Sequence, residues 1–438
     1  MTWVLMLLAT WIVGMLFQLD ALVYGAYVLG AVLLINGWLA RSAAENLVVR
    51  RSVSITEGNV GDTVTVLLEV ENRGRMPALW FLLEDMIPPE ATQPGQALVA
   101  TGQRLLLAGL RGGKKRTVFY QLKCERRGYF QIGPALLETG DLFGLFRKYS
   151  IAAEPSYLLI LPRPLPLERY EIASRRPMGE VRLTHRLFED PTRIAGLRDY
   201  RAGDRLNQIH WMASARLGSL QSKYYESTSM AGATFLLDLH VEHANPSEID
   251  YRTELAVLTV ASVAHLVFLE RQQIGLVTNG RDAADRVRTE GFRLVGRSRH
   301  AMHAAVAKPP DNARRQPVVV PTRRGEQTYQ AMLLQLARLE RNDGLNFAEL
   351  VTETLDRIPA DATAIAIVSR LSDDVLVALS LLKRMGRAVV VFANVYEPTD
   401  FIAIAGPLMS VGIESRHLRD EETLRTLCNR QESVTLLG

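Results

Sequence analysis

The sequence predicts a mixed-class protein, all-β followed by α/β, carried on an N-terminal helical hairpin. Three observations predict it. Residues 1–40 contain a single ionisable side chain, Asp20, and no Lys or Arg. Between about 45 and 165 the apolar residues alternate with period two and glycines punctuate the runs. From about 230 onward short apolar strands alternate with helical stretches, the pattern of a mostly parallel sheet. A chain of 438 residues with 48% hydrophobic, 22% charged and 7% aromatic residues is long enough for about three units and excludes wholesale disorder or a fibrous repeat. Two cysteines, Cys124 and Cys428, exclude a disulfide scaffold. A net charge of +4, from 51 Lys+Arg against 47 Asp+Glu, argues against a dedicated nucleic-acid binder.

Met1–Leu19 and Ala21–Ala40 are uncharged runs, each long enough to cross a hydrocarbon core that needs ~20 apolar residues. Gln18 and Asp20 interrupt them where a tight turn would fall, and Trp3, Trp11 and Trp38 stand where aromatic belts form. A cleaved secretory leader would need a basic n-region and a shorter apolar core, and neither is present; a single long anchor helix is the other alternative. Arg41, Arg50 and Arg51 follow the second run, so the positive-inside rule places both termini and the soluble body in the cytoplasm, on the inner membrane.

In Thr63–Val70, Val64, Val66, Leu68 and Val70 form one apolar face, and Val118, Tyr120, Leu122 and Cys124 do the same in Thr117–Cys124. The β region closes at Leu158–Leu161, before a linker with Pro162, Pro164 and Pro166. Its basic residues Arg104, Arg111, Lys114, Lys115, Arg116, Lys123, Arg126 and Arg127 read as a solvated strand face rather than a headgroup-binding patch, since several sit at turns. Further on, Thr234–Leu239, Ile274–Val277, Ala364–Val368 and Ala388–Phe392 read as strands. The uncharged stretch between Glu254 and Glu270, with His265 in it, reads as a buried core helix. Gln327–Glu340, Phe347–Arg357 and the segment from Ser372, a cap, to Met385 and Gly386 read as helices. Residues 281–324, with eleven basic and four acidic residues, read as a long solvated excursion.

The most specific stretch lies between the two domains: Gly196-Leu197-Arg198-Asp199-Tyr200-Arg201-Ala202-Gly203-Asp204, then Ile209-His210-Trp211-Met212-Ala213-Ser214-Ala215-Arg216. It resembles the signature of the DUF58 family, a G-x-R-x-Y-x-x-G-D run followed by I-[HD]-W-x-x-[ST]-A-R. Arg126-Arg127-Gly128-Tyr129, Asp141-Leu142-Phe143-Gly144-Leu145-Phe146 and Leu161-Pro162-Arg163 resemble further elements of that family. The resemblance implies an Ig-like β-sandwich and a von Willebrand factor A-like C-terminal domain. The expected division is then a hairpin over 1–40, a sandwich over 41–165, a connector carrying the signature over 166–229 and the α/β domain over 230–438. The resemblance also implies no assigned reaction. As partners it implies a MoxR-type AAA+ ATPase and other membrane proteins of the same gene cluster, beside the lipid bilayer.

Taken as chemistry, Arg198, Tyr200, Gly203, Asp204, His210, Trp211, Ser214 and Arg216 suit a partly buried polar network in which aromatic plates cover charge pairs. Such a network either docks the connector or binds a partner; Trp211 and Arg216 are expected to be structural, and Arg198, Asp204 and His210 to face the partner. Asp204, His210 and Ser214 are also the residue types of a hydrolytic triad, but no G-x-S-x-G elbow, phosphate loop or clustered Cys/His spacing accompanies them. The expectation is therefore a non-enzymatic interaction protein, with a metal-dependent adhesion module as the alternative and a hydrolase third. The D-x-S-x-S metal pattern implied by the A-domain resemblance falls on Asp238, His240 and Glu242, with Asp373 or Asp374 as a later carboxylate. Both serines are replaced, and histidine suits Mg²⁺ poorly, so no cofactor is expected.

Overall fold

The computed structural model describes residues 2–87, 91, 97–141, 143, 144, 146–167, 189–199, 209–227, 232–241, 249–284 and 316–427, and divides them into two compact units. The first holds 2–163 with 281–284 and 334–339; the second holds the remainder.

The first unit opens with helices α1 (Thr2–Leu16) and α2 (Asp20–Asn46). They fold back on each other through a turn in which Gln18 adopts φ 52°. Small residues let them meet: Leu7 packs over Gly30, and Gly14 faces Val23. Leu8, Tyr24, Val28 and Leu34 stay exposed. Of these two helices, α2 is long and apolar enough to cross a membrane, and the apolar part of α1, Leu5–Leu16, is shorter. The helix does not stop at Ala40 as the hydropathy suggests but runs six residues on, carrying Arg41.

The β region follows as β1 (Leu47–Val53), β2 (Glu57–Asn59), β3 (Thr63–Asn72), β4 (Ala78–Asp85), β5 (Leu98–Gly102), β6 (Leu105–Leu110), β7 (Lys115–Cys124), β8 (Gly128–Ile132), β9 (Ala135–Gly140), β10 (Arg147–Ala153) and β11 (Ser156–Leu161). Two four-stranded antiparallel sheets, β1-β3-β7-β5 and β10-β9-β4-β6, are joined by a smaller sheet, β2-β11-β8. The alternation seen in the sequence is the packing rule here. Val64, Val66, Leu68 and Val70 are fully buried, in register with Leu122, Tyr120, Val118 and Arg116 of β7. Ala43 of α2 belongs to the same core, so the helix and the sandwich form one body.

This core encloses a charge. Arg51 donates from Nε and Nη2 to both oxygens of Asp85, at 3.1 and 2.6 Å, and from Nη1 to the carbonyls of Ile132 and Glu154, both at 2.8 Å. Tyr120 donates its hydroxyl to Asp85 at 2.8 Å. The side chains of Arg51 and Asp85 are 2% and 0% exposed, which makes this a desolvated bidentate pair. Burial pushes the Asp85 carboxyl above its ordinary range against the pull of Arg51, and burial with the Asp85 charge pushes the Tyr120 phenol up. In the sequence Arg51 reads as a membrane-proximal surface charge; in the fold it is a core residue. Gly133, at φ 90°, makes room for it, since a β-carbon there would strike the guanidinium.

The second unit begins with a hairpin, β12 (Glu189–Asp199) and β13 (Gln221–Ser227), bracketing helix α3 (Trp211–Leu217). The chain continues through β14 (Gly232–Leu237), α4 (Ile249–Leu269), β15 (Gln273–Thr278), the two-residue β16 (Arg281–Asp282), β17 (Val318–Arg323), α5 (Glu326–Arg338), the two-residue β18 (Leu339–Glu340), α6 (Phe347–Thr354), β19 (Thr363–Val368), α7 (Asp373–Arg384), β20 (Val389–Ala393), α8 (Pro398–Ser410), β21 (Glu414–His417) and α9 (Glu421–Leu427), of which β16 and residues 334–339 belong to the first unit. The sheet order is β17-β15-β14-β19-β20-β21, parallel throughout except for β17. Leu236, Ala364, Ala366 and Val391 face a core shared with α6, α7 and α8. Their neighbours Phe235, Ile365 and Phe392 point the other way and are equally buried, so both faces are covered, as parallel sheets require. Asn346 with Glu349 caps α6 reciprocally, and Ser372 caps α7. The helix α4 passes a length-and-composition test for a membrane span, yet most of it is buried, in agreement with its reading as a core helix.

Two expectations need correction. The stretch 281–324 is not wholly a solvated excursion: Val318–Arg323 is the antiparallel edge strand, and Arg281, Asp282 and Ala283 are buried. Its charge content hid a strand of only three valines and a proline. The basic run of the sandwich also splits: Lys115 and Lys123 pair with Glu69 and Glu125, whereas Arg127 is 7% exposed and donates to the carbonyls of Leu336 and Leu339 of the same unit.

Candidate functional site

The backbone of the signature is organised around one hydroxyl. Ser214, 9% exposed, donates to the carbonyl of His210 at 3.0 Å and accepts from the amide of Gln221 at 2.8 Å. His210 donates its amide to the Gln221 carbonyl at 2.8 Å, and its ring Nδ1 accepts from the Ala213 amide at 3.1 Å, so the imidazole caps α3. Gln221 in turn donates to Asp199 Oδ1 at 2.7 Å and to the Ser219 hydroxyl at 3.2 Å. Gly218, at φ 68°, ends the helix in the left-handed conformation. Both ends of α3 are thus fixed, and Ile209, bridged to Ser222, is 4% exposed beneath it.

That arrangement turns the apolar side chains outward. Trp211, Met212 and Leu217 are 64%, 67% and 65% exposed, and Leu220 is also exposed. Arg216 is exposed too. The expectation that Trp211 and Arg216 are buried struts is therefore corrected. A seven-residue helix pinned by its caps and by Ser214 needs no second layer over its outer face. Of the other signature residues, the strand backbone carries Arg198, while its side chain and all of Tyr200, Gly203 and Asp204 lie outside the described residues. The structure brings together His210, Ser214, Asp199 and Gln221; the last two were not singled out in the sequence as partners, and only their place in register, Asp199 opposite Gln221, reveals them. The triad arrangement is not met by the described pair, because Ser214 commits its proton to the His210 carbonyl and not to the ring.

A second place to look is the carboxyl edge of the parallel sheet, where open α/β folds bind ligands. Asp238 follows β14, and its Oδ1 accepts from the His240 amide at 3.1 Å and from Asn279 Nδ2 at 2.8 Å. Asn279 also accepts from the Leu239 amide at 2.7 Å and donates to the Leu345 carbonyl at 3.0 Å, tying the ends of β14 and β15 to the segment ahead of α6. The cleft beside them is lined by Asp238, His240, Arg252, Arg341, Ser369 and Asn394. Arg252 is buried, donates to the carbonyls of Leu418 and Arg419, and lies over the Tyr396 ring. Glu242 lies outside the described residues, and Asp373 stands exposed in the first turn of α7. Among the described residues no group of three His, Cys, Asp or Glu gathers, and two guanidiniums line the cleft that would have to accept a cation.

Comparison with known proteins bears on the signature. Residues 196–311 match the family model described as "Protein of unknown function DUF58". The chain is 23% identical over 247 residues to the "Uncharacterized protein YeaD" of Bacillus subtilis (strain 168), a match covering 56% of this chain and 59% of that protein. The resemblance to DUF58 read from the signature residues is thus shown. The matched region is somewhat over half of that relative's length. Among solved structures, the CARDB domain of the PF1109 protein from Pyrococcus furiosus is similar at a TM-score of 0.19 and 11% identity, over 27% of this chain and 94% of that one. The alpha-2-macroglobulin of E. coli is similar at a TM-score of 0.20 and 16% identity, over 26% of this chain and 7% of that one.

Proposed function

We propose that this chain is a membrane-anchored, non-enzymatic interaction protein of the DUF58 type, and that its partner docks on the outer face of α3. The observation that carries the reading is the exposure of Trp211, Met212 and Leu217 on a helix whose backbone is locked by Ser214 and its caps, with Leu220 exposed just beyond it. Rigid, exposed aromatic and aliphatic anchors are what binding hot spots are made of, and leaving them in water is costly without a partner. The hairpin of α1 and α2 crosses the inner membrane, and Arg41 and Arg50, both exposed, keep the two units on the cytoplasmic side. The family resemblance supplies the partner class: a MoxR-type AAA+ ATPase, with other membrane proteins of the same gene cluster alongside. The sheet order of the second unit, with strands three, two, one, four, five and six in sequence across it and the third antiparallel, supports a von Willebrand A-like fold.

The test uses the full-length protein in detergent and a purified MoxR-type AAA+ ATPase from the same organism, with and without ATP. Binding is expected for the native protein and a loss of about tenfold or more for Trp211→Ala, at an unchanged melting temperature. Retained binding in Trp211→Ala and in Met212→Ala overturns the docking face, and no binding by the native protein overturns the partner.

A further inference from the structure

The first unit carries a loop that neither the anchor nor the docking face explains. Between β9 and β10, Asp141 is 1% exposed and turns its carboxylate back onto its own loop, accepting from the amides of Phe143 at 3.2 Å and Phe146 at 2.7 Å. Trp80 donates its indole N–H to the Asp141 carbonyl at 2.9 Å, and Gly144, at φ 70°, turns the chain. The effect is to hold two phenylalanines outward: Phe143 is 64% and Phe146 45% exposed. Both amides are tied to one buried carboxylate, which holds Phe143 and Phe146 with their rings in solvent.

Position says what the rings meet. The ring of Phe146 lies over Gly37 of α2, 3.5 Å from where a β-carbon would stand, with the exposed Trp38 next in the chain. From Gly37 onward α2 is engaged by the sandwich, with Ala40 buried and Ala43 in its core. The stretch of α2 ahead of that contact, Asp20–Asn36, is about 25 Å long at 1.5 Å per residue, whereas a hydrocarbon core is about 30 Å thick. A helix short by about 5 Å thins the bilayer or brings flanking apolar groups into it. Exposed Arg147 and Lys148 follow Phe146 directly, the aromatic-then-basic order of an interfacial segment.

Resting on the reading of α2 as a membrane span, we propose that the Asp141–Phe146 loop is a lipid-interface wedge: Phe143 and Phe146 enter the outer acyl region beside Trp38, and Arg147 and Lys148 meet the headgroups. The occupant of this apolar tip is the bilayer itself, because the tip is continuous with the lipid-facing side of α2 and supplies the length that the helix lacks.

The experiment reads depth. The full-length chain with Cys428→Ser keeps only Cys124, which is buried and whose thiol burial pushes up to about 11, so it labels slowly. An environment-sensitive fluorophore is then placed by Phe143→Cys, Phe146→Cys, Leu29→Cys or Thr63→Cys, and each protein is reconstituted in phosphatidylethanolamine–phosphatidylglycerol vesicles carrying a nitroxide high on the acyl chain. Thr63 begins β3, at the far end from Asn72, whose successor Arg73 bonds the Asn46 carbonyl at the end of α2, so it reports the aqueous level. The expected result is severalfold stronger quenching at 143 and 146 than at 63. Quenching at 29 with 143 and 146 equal to 63 overturns the wedge and leaves the span standing. No quenching at 29 overturns the span and the wedge together.

Discussion

The core of the sandwich and the outer face of α3 invert each other. In the sandwich a guanidinium, a carboxylate and a phenol lie inside, each satisfied by partners from distant strands. On α3 a tryptophan, a methionine and a leucine lie outside, while the polar side chains of His210 and Ser214 are spent on backbone groups. Charge is buried where the fold can complete its hydrogen bonds, and the apolar side chains of α3 stay in solvent because its backbone is fixed from the other side. The first arrangement holds a structure together; the second is the surface on which the proposed docking rests.

The sharpest way to break the contrast is to remove Arg51. Arg51→Ala leaves the buried Asp85 carboxyl without its guanidinium partner and held by Tyr120, and losing one partner of a buried pair costs about 3–5 kcal/mol. Chemical denaturation of the full-length protein in detergent should show that loss in the first unit. The neighbouring exposed Arg50→Ala should cost less than about 0.5 kcal/mol. Equal effects would mean that the charge in the core does nothing special. On the other side of the comparison, Ser214→Ala removes both the donor to His210 and the acceptor for the Gln221 amide, which is expected to cost about 1–3 kcal/mol. A silent Ser214→Ala would detach the exposed face of α3 from the support proposed for it.

A smaller effect separates the two units by pH. Burial holds the His417 imidazole below its ordinary value, helped by Arg252 and Arg419 and opposed by the Val395 carbonyl that its Nε2 contacts at 2.9 Å. The folded protein therefore prefers neutral His417. Its contribution is complete above the unfolded value near 6.5 and is lost as pH falls through it toward the folded value. The second unit should melt progressively lower as pH drops from 7 toward 5, and His417→Gln should flatten that slope. An unchanged slope in the variant would assign the pH response elsewhere.

Much of this was legible in the sequence, for a physical reason in each case. Val64 to Val70 announce a two-sided sheet because the pleat has period two, and Ser372 with Gly386 brackets α7 because helix ends leave unpaired backbone groups. Arg51 was not legible: its partners, Asp85 and Ile132, come from strands that meet it only in three dimensions. Strand β17 was missed because a short edge strand followed by arginines has too few apolar residues to signal. Trp211 was misread, since tryptophan is usually covered on average and nothing local tells an outer face from an inner one. The signature was recognisable as a family mark, but not the division of labour within it.

The smallest expected change in stability tests that division most directly. If Trp211 were a strut between the hairpin and the sheet, truncating it would open a cavity and cost about 3–5 kcal/mol. With 64% of it in solvent, the loss expected for Trp211→Ala is below about 1 kcal/mol, comparable to an ordinary surface substitution. Truncation even removes apolar area from water, so a slight gain in solubility is consistent with the geometry. The indole must then matter, if at all, to something outside the chain. Melting curves on Trp211→Ala beside Ser214→Ala put the two readings on one axis: a docked tryptophan makes the first variant the less stable, and an outward-facing one makes the second.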